Sequence, residues 1–198
     1  MSADILNLDG KKVSTNEMGE LVMRKSSIGL TKSLWNDDKR YIDNYWSVIE
    51  DYWVHGDLAS RDADGHWYLH GRSDDTIKVS GKRIGPSELE SVIVKSGKAK
   101  EVAAVGIPDA NKGSKIILSI VPAENNDQKE SFFEDLVIKD LGKSFKPDKV
   151  IFVKDLPKTR NMKIMRRVIK SCLANQDPGD LSTLLNPESV EEIRSHAI

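Results

Sequence analysis

A dense group of cationic side chains near the end of the sequence is the first feature that could do chemistry. Six cations fall within the thirteen positions 158–170: Lys158, Arg160, Lys163, Arg166, Arg167 and Lys170. Such a group could bind a phosphate-rich small ligand or a nucleic-acid backbone. It could equally be a solvated helix face opposite an apolar stripe. Composition alone does not choose among these three readings.

Other residues suggest acid–base, phosphate or metal chemistry, but their spacing argues against it. Asp74 and Asp75 are adjacent, so in a turn their carboxyl groups point in different directions and we expect no shared proton. The tripeptide 142–144 (GKS) imitates the end of a phosphate loop, yet Val137 stands where the first glycine is needed. His66 and His70 lie in an alternating strand pattern that separates them by about 13 Å, so no metal site is predicted there.

The elements that must position these residues differ between the two parts of the chain. The first third reads as short strands separated by turn signals, with one helix rich in aromatic residues. Asp9-Gly10 and the turn 62–65 (DADG) are the strongest of those signals. The predicted elements are strands 5–8, 11–13, 19–23, 52–58 and 66–70, and a helix over 36–49.

After Gly71 strands alternate with helices. Pro86 stands where the first residue of a helix is expected, and Ser80-Gly81 predicts a tight turn. The predicted strands are 76–79, 82–84, 101–107, 115–121 and 149–153, and the predicted helices begin at 86 and span 128–141 and 162–173, the last as the final helix. The sequence therefore predicts an α+β fold: a small β-rich N-terminal subdomain, then a small α/β sandwich-like C-terminal domain with about three strands and packed helices.

Composition excludes several classes of protein. The chain has 198 residues, of which 38% are hydrophobic and 31% charged, with a formal net charge of −1. No stretch has the roughly 18 consecutive apolar residues of a membrane helix, so no membrane partner is expected. Cys172 is the only cysteine, which excludes an internal disulfide or a multi-cysteine zinc site. Residues 1–6 lack a basic and apolar leader, so the expected location is cytoplasmic.

Three segments resemble the motifs of one enzyme family. Segment 71–90 (GRSDDTIKVSGKRIGPSELE) resembles the hinge motif of the adenylate-forming superfamily, which includes the AMP-forming acyl-CoA synthetases. Segment 53–57 (WVHGD) is similar to that family's Tyr-x-x-Gly-Asp motif, and 157–167 (PKTRNMKIMRR) to its catalytic-lysine motif. The tail 179–184 and the stretch 29–46 narrow the resemblance to the acetyl-CoA synthetases.

The resemblance implies residues that bind the nucleotide. Asp57 matches the residue that binds the ribose hydroxyl groups, and Arg72 would assist at the ribose. Arg83 matches the family's arginine near the nucleotide phosphate. ATP or AMP and CoA are the implied cofactors, with magnesium entering only as the ATP complex and no dedicated metal site expected.

The resemblance also implies moving parts. Asp74 matches the hinge about which the small domain rotates, and Gly81 lies on the loop that faces the CoA pantetheine after rotation. Lys163 corresponds to the catalytic lysine that inserts into the site for adenylate formation. Two positions depart from the pattern, because Asn161-Met162 stands where the family usually has Ser-Gly.

These expectations assign residues 1–73 to the last β-rich subdomain of a synthetase large domain and 74–198 to the mobile small domain with the catalytic lysine and tail. The implied reaction is that of an acid–thiol ligase of the acetate–CoA type, with a carboxylic acid, ATP and CoA as partners. No Ser/Thr/Gly-rich phosphate loop occurs in the sequence, so the chain is expected to be inactive alone and to need a large-domain polypeptide. The alternative is a non-enzymatic module that binds nucleotide, CoA or nucleic acid.

Overall fold

A computed structural model describes residues 2–24, 28–124 and 127–198. Met1, part of the segment 1–6 in which no leader is predicted, lies outside the described residues. The chain forms two compact units, Met1–Asp74 and Asp75–Ile198. The mixture of helices and strands confirms the predicted α+β class. Within the described ranges no helix is both long and apolar enough to cross a membrane.

The first unit is built on one antiparallel sheet. Its strands lie in sequence order: β1 (Ala3–Leu6), β2 (Gly19–Met23), β3 (Trp53–Arg61) and β4 (Trp67–Arg72). Helix α1 (Asp38–Tyr45) begins after Asp37, whose side chain accepts the Arg40 N–H as a helix cap. A small apolar cluster of Leu6, Val22, Ile49 and Val54 forms the core beneath the sheet.

The predicted hairpin of residues 5–8 and 11–13 is present in shortened form. Leu6 and Lys12 form an antiparallel bridge, and the Asn7 N–H donates to the Lys11 carbonyl oxygen at 2.8 Å. Strand β1 forms its longer ladder with β2. The Asn7 side chain accepts the backbone N–H groups of Asp9 and Lys11, which closes the turn locally. Ile5 and Leu6, which pair with Leu21 and Glu20 of β2, are buried.

The second unit is a three-layer sandwich. A hairpin of β5 (Ile77–Val79) and β6 (Lys82–Ile84) leads into α2 (Pro86–Lys95). The sheet then runs in the order β7 (Ala99–Asp109), β8 (Gly113–Pro122) and β9 (Lys149–Phe152), with β8 and β9 parallel. The remaining helices are α3 (Glu130–Leu141), α4 (Arg166–Leu173) and α5 (Glu188–Arg194).

The alternation of side chains along β8 builds two cores. Ile116, Leu118 and Ile120 face the cluster formed with α2 and α3, whereas Ile117 and Val121 face the cluster formed with α4 and α5. Both faces of the sheet are thus covered by helices. The predicted sandwich-like domain with about three strands is confirmed.

The start of α4 corrects the predicted helix 162–173. The helix begins at Arg166, because residues 158–164 fold into a tight hairpin instead. Met162 adopts a φ of 62°, which a right-handed helix excludes. That helix is also not the last one, since the short α5 follows it; its seven residues bury Val190 and Ile193.

Candidate functional site

Asp57 and Arg72 stand directly opposite each other on β3 and β4. Nη1 of Arg72 lies 3.6 Å from Oδ1 of Asp57, and Nε of Arg72 lies 3.1 Å from Oδ1 of Asp74. One guanidinium thus lies between two carboxylates. The antiparallel pairing places Asp57 and Arg72 together and holds both at the sheet surface.

His55 and Gly56, to which the sequence assigned no role, also belong to this group. Nδ1 of His55 lies 2.9 Å from Oδ2 of Asp57, and the His55 ring packs edge-on against Trp53. Gly56 has a φ of +84°, and a Cβ there would lie 2.9 Å from the Arg72 guanidinium. His55 could have been found by its i,i−2 spacing from Asp57 on a strand, which puts both side chains on one face.

A cleft of about 290 Å³ opens beside this group. Tyr45 and His55 line it together with Gly56, Arg72 and Asp74. Tyr45 stacks on Trp53 with ring centroids 5.2 Å apart, which gives the cleft an aromatic wall. An aromatic surface beside a carboxylate suits a ligand that has both a flat ring and hydroxyl groups.

Lys163 lies on the hairpin of residues 158–164 in the second unit, which we call the lysine turn. Lys158 and Ile164 pair at its base, and the Thr159 N–H donates to the Lys163 carbonyl oxygen at 2.9 Å. The Lys163 N–H in turn donates to Oγ1 of Thr159. The Lys163 side chain is exposed and forms no ion pair with any carboxylate in the described part of the chain.

Lys158, the first cation of the same segment, is by contrast buried. Its Nζ lies 2.7 Å from Oε2 of Glu101 and 2.6 Å from Oδ1 of Asp155. Burial by itself would lower the pKa of the Lys158 ammonium, but hydrogen bonds to Asp155 and Glu101 outweigh it and raise that pKa. Lys158 is therefore held as a structural cation and is unavailable to a ligand.

Two further cations are also engaged. Arg166 binds Glu90 through two hydrogen bonds of 2.8 and 2.6 Å, and Arg167 donates to the backbone carbonyl oxygens of Pro178 and Asp180. The exposed members of the six are Arg160, Lys163, Arg167 and Lys170. The cationic group is thus not one continuous solvated face.

Arg83 and Gly81 lie on the β5–β6 hairpin. Ser80 and Gly81 both have positive φ, 49° and 83°, the pattern of a type I′ turn. A Cβ at Gly81 would meet no atom within 4 Å, so the backbone angle is what favours glycine there. Arg83 is exposed and pairs with Lys78 across the hairpin. No hydrogen bond between described residues joins Arg83 or Gly81 to Lys163.

The β3–β4 turn gathers Asp62, Asp64 and His66, whose ligand atoms lie within 4.8 Å of one another. The Asp62 carboxylate already accepts the backbone N–H of His66 and the Tyr68 hydroxyl. These contacts account for the group as the hydrogen bonding of a turn. His70 lies apart from it, with Nε2 2.8 Å from Oγ of Ser60.

The backbone at Met162 gives a testable prediction about the lysine turn. A left-handed φ costs a residue with a side chain about 1–2 kcal/mol, whereas glycine adopts it freely. Glycine also raises the conformational entropy of the unfolded chain, which destabilises the folded state by about 0.4–1 kcal/mol. The net effect of Met162→Gly should be a rise of about 0.5 kcal/mol in the free energy of unfolding. Urea denaturation measures this, with Met162→Ala as the control that keeps the strain. If Met162→Gly is less stable than Met162→Ala, the claim that the backbone at residue 162 is strained is wrong.

Comparison with known proteins finds sequences similar to this chain among acetyl-coenzyme A synthetases. Residues 88–163 match the model of the AMP-binding enzyme C-terminal domain. The chain is 39% identical over 199 residues to an acetyl-coenzyme A synthetase of Methanothrix thermoacetophila, covering 97% of this chain and 30% of that protein. It is likewise 39% identical over 206 residues to the acetyl-coenzyme A synthetase of Helicobacter pylori, covering 98% and 31%.

A solved structure shows the same fold. The acetoacetyl-CoA synthetase from Streptomyces lividans matches with a TM-score of 0.85 at 22% identity, over 98% of this chain and 30% of that one. The chain therefore spans about 30% of the length of the curated relatives it matches.

Proposed function

Because the chain belongs to the adenylate-forming acyl-CoA synthetase family and corresponds to the C-terminal part of its acetyl-CoA synthetases, we propose that it supplies the mobile half of the active site of such a ligase. The overall reaction joins a carboxylic acid to CoA and splits ATP into AMP and pyrophosphate. The observation that supports this best is Lys163 on the turn whose sequence resembles the catalytic-lysine motif: it is exposed and has no carboxylate partner among the described residues.

In the first half-reaction a carboxylate oxygen attacks the α-phosphorus of ATP, and the bond to pyrophosphate breaks. A carboxylic acid with a pKa of about 4–5 is already ionised at neutral pH, so no general base is needed. The step needs compensation for negative charge between the two anions. The Lys163 ammonium, which has no carboxylate partner in the part of the chain that the structure describes, can provide it by contacting acyl and phosphate oxygens.

The nucleotide would be held by the group on β3 and β4. Asp57 can accept hydrogen bonds from both ribose hydroxyl groups, and Arg72 keeps that carboxylate oriented from the opposite strand. The aromatic wall of the neighbouring cleft suits the adenine ring. Arg83, exposed on its hairpin, would approach a nucleotide phosphate.

In the second half-reaction the CoA sulfur attacks the acyl carbon, AMP leaves, and the thiol proton passes to solvent. One site serves both steps, so Lys163 must withdraw before the thiol arrives. We assign residues 1–73 to the large domain and 74–198 to the rotating small domain, with Asp74 as the hinge and Gly81 facing CoA. The division of the chain into units at Asp74 supports that assignment.

The rival function is a non-enzymatic module that binds nucleotide, CoA or nucleic acid through its cations. A nucleic-acid backbone is bound by several accessible cations together. Here Lys158 is buried between two carboxylates and Arg166 is bound to Glu90. The remaining exposed cations are fewer than the sequence suggested, which favours the enzyme.

A chimera tests the proposed function. In it, this chain replaces the matching C-terminal segment of the Methanothrix thermoacetophila enzyme, about 30% of that protein. The chimera is expected to form acetyl-CoA only when acetate, ATP and CoA are all present. A folded chimera that forms no thioester while the parent enzyme does would contradict the proposal.

The chain alone gives a separate prediction. The sequence contains no Ser/Thr/Gly-rich motif of the kind that holds the β- and γ-phosphates. We therefore expect no acetate- or propionate-dependent ATP–pyrophosphate exchange from the isolated polypeptide. Exchange clearly above a no-protein control would contradict the assignment of this chain to the C-terminal part of the enzyme.

A further inference from the structure

The tail of the chain forms a third strand beside the lysine turn. The Arg160 N–H donates to the Thr183 carbonyl oxygen at 3.2 Å, and the Leu185 N–H donates to the Lys158 carbonyl oxygen at 2.8 Å. Thr159 and Leu184 form a bridge between these two contacts. A two-stranded hairpin alone is marginally stable in water, so a third strand matters for its order.

Asn186 closes the corner where the tail meets the base of the turn. The residue is 7% exposed. Its Oδ1 accepts the Lys158 N–H at 3.0 Å, and its Nδ2 donates to Oδ2 of Asp155 at 2.6 Å and to the Leu156 carbonyl oxygen at 2.8 Å. The other oxygen of Asp155 accepts from the Lys158 ammonium. Asn186 therefore fixes both the backbone and the buried cation from which the lysine turn starts.

The tail is also anchored at residues 178–180, through a contact that does not involve Asn186. The Arg167 guanidinium, at the start of α4, donates to the carbonyl oxygens of Pro178 and Asp180. Residues 181–185, which lie beside the lysine turn, are therefore anchored on one side by Arg167 and on the other by Asn186. Lys163 itself makes no contact with Asn186 among the described hydrogen bonds, so any influence of Asn186 must act through Lys158 and the turn.

From this network we propose that Asn186 is a positioning residue for Lys163. It holds the lysine turn in the geometry that adenylate formation needs. This inference rests on the proposed function, since it assumes that Lys163 serves the first half-reaction. It predicts that a change in the tail slows that half-reaction and leaves thioester formation unaffected, because the lysine is withdrawn in the second step.

Amide hydrogen exchange on the 198-residue chain tests the positioning directly and needs no activity. Removing a buried hydrogen-bonding side chain leaves its partners unsatisfied. Asn186→Ala should therefore speed exchange of the Thr159 and Met165 amides roughly tenfold or more. Amides of β7 and β8 are the internal reference and should change less than about twofold. Leu185→Ala is the matched control, because Leu185 is exposed and pairs only through its backbone.

Separate assays of the two half-reactions in the chimera test whether Asn186 affects adenylate formation alone. Asn186→Ala should lower adenylate formation roughly tenfold and change transfer from preformed acetyl-adenylate less than about twofold. Asn186→Ser, which keeps a small polar group and places no charge beside Asp155, serves if the alanine variant does not fold, and the same split is expected. Unchanged exchange in the lysine turn, or equal losses in both half-reactions, would overturn the proposal.

The failure of the proposed function is distinguishable from the failure of this inference. If Lys163→Ala leaves adenylate formation intact, the assigned role of the lysine is wrong. Faster exchange confined to the lysine turn in Asn186→Ala would then still support a positioning contact, and unchanged exchange would overturn it.

Discussion

Lys163→Ala in the chimera is expected to lower the rate of acyl-adenylate formation by about 10²- to 10³-fold. The lysine is the charge that compensates two anions approaching each other, and its neighbours Lys158 and Arg166 are already engaged. Lys158 is buried between Glu101 and Asp155, and Arg166 is bound to Glu90. Transfer from preformed acetyl-adenylate to CoA should be largely preserved, because the second step does not use the lysine.

The chain offers matched controls for this experiment. Arg160 and Lys170 are exposed cations close to Lys163 in sequence. If Lys163 acts only as part of a cationic surface, Lys163→Ala, Arg160→Ala and Lys170→Ala would each weaken both half-reactions modestly, with strong salt dependence. Three equal, small losses would contradict the catalytic role, as would equal loss of both half-reactions in Lys163→Ala.

The second large effect is expected in stability, for Glu90→Ala. The Glu90 carboxylate accepts two hydrogen bonds from Arg166 and also the backbone N–H of Ala104 at 3.0 Å. Its side chain is 12% exposed and that of Arg166 is 24% exposed. Truncation would leave a largely buried guanidinium and a β7 amide unsatisfied. The free energy of unfolding of the second unit should fall by about 3 kcal/mol.

Urea denaturation measures this loss. Glu90→Gln keeps an acceptor oxygen while removing the charge, so an intermediate loss is expected. Glu130→Ala is the control, because Glu130 is exposed at the start of α3 and should change stability by no more than about 0.5 kcal/mol. A Glu90→Ala variant as stable as Glu130→Ala would show that the Arg166 pair does not anchor α4 to α2.

The parts of the fold that sequence reasoning predicted correctly are set by local signals. The DADG turn at 62–65 specifies the β3–β4 hairpin, Ser80-Gly81 specifies the β5–β6 turn, and Pro86 marks the first residue of α2. Strand β8 was also predictable from its run of apolar residues, because its side chains pack alternately into the two hydrophobic cores.

The parts that escaped prediction depend on contacts between distant residues. Strand β1 forms its longer ladder with β2, which is farther along the chain than the segment 11–13, and no turn signal indicates that pairing. The lysine turn interrupts a good helical apolar stripe, and its third strand comes from residues 183–185. No local pattern shows that the tail would lie there, nor does any mark the short α5.

The candidate site also combines residues that the sequence identified with contacts that only the structure shows. Motif resemblance selected Asp57, Arg72, Asp74, Gly81, Arg83 and Lys163, and their roles remain predictions. The structure adds which cations are already engaged: Glu90 reaches Arg166 across 76 positions of sequence, and Asn186 reaches Lys158 across 28. Those pairings separate Lys163 from Lys158 and Arg166, which the sequence alone could not do.

Acetate-dependent ATP–pyrophosphate exchange by the chimera tests the central claim most directly. The claim is that these 198 residues supply the lysine-bearing half of an acyl-CoA synthetase site. Exchange should require acetate, should be lost in Lys163→Ala, and should be absent from the parent large domain without this chain. Exchange that persists when this chain is removed, or a folded chimera that shows none while the parent enzyme is active, would contradict it.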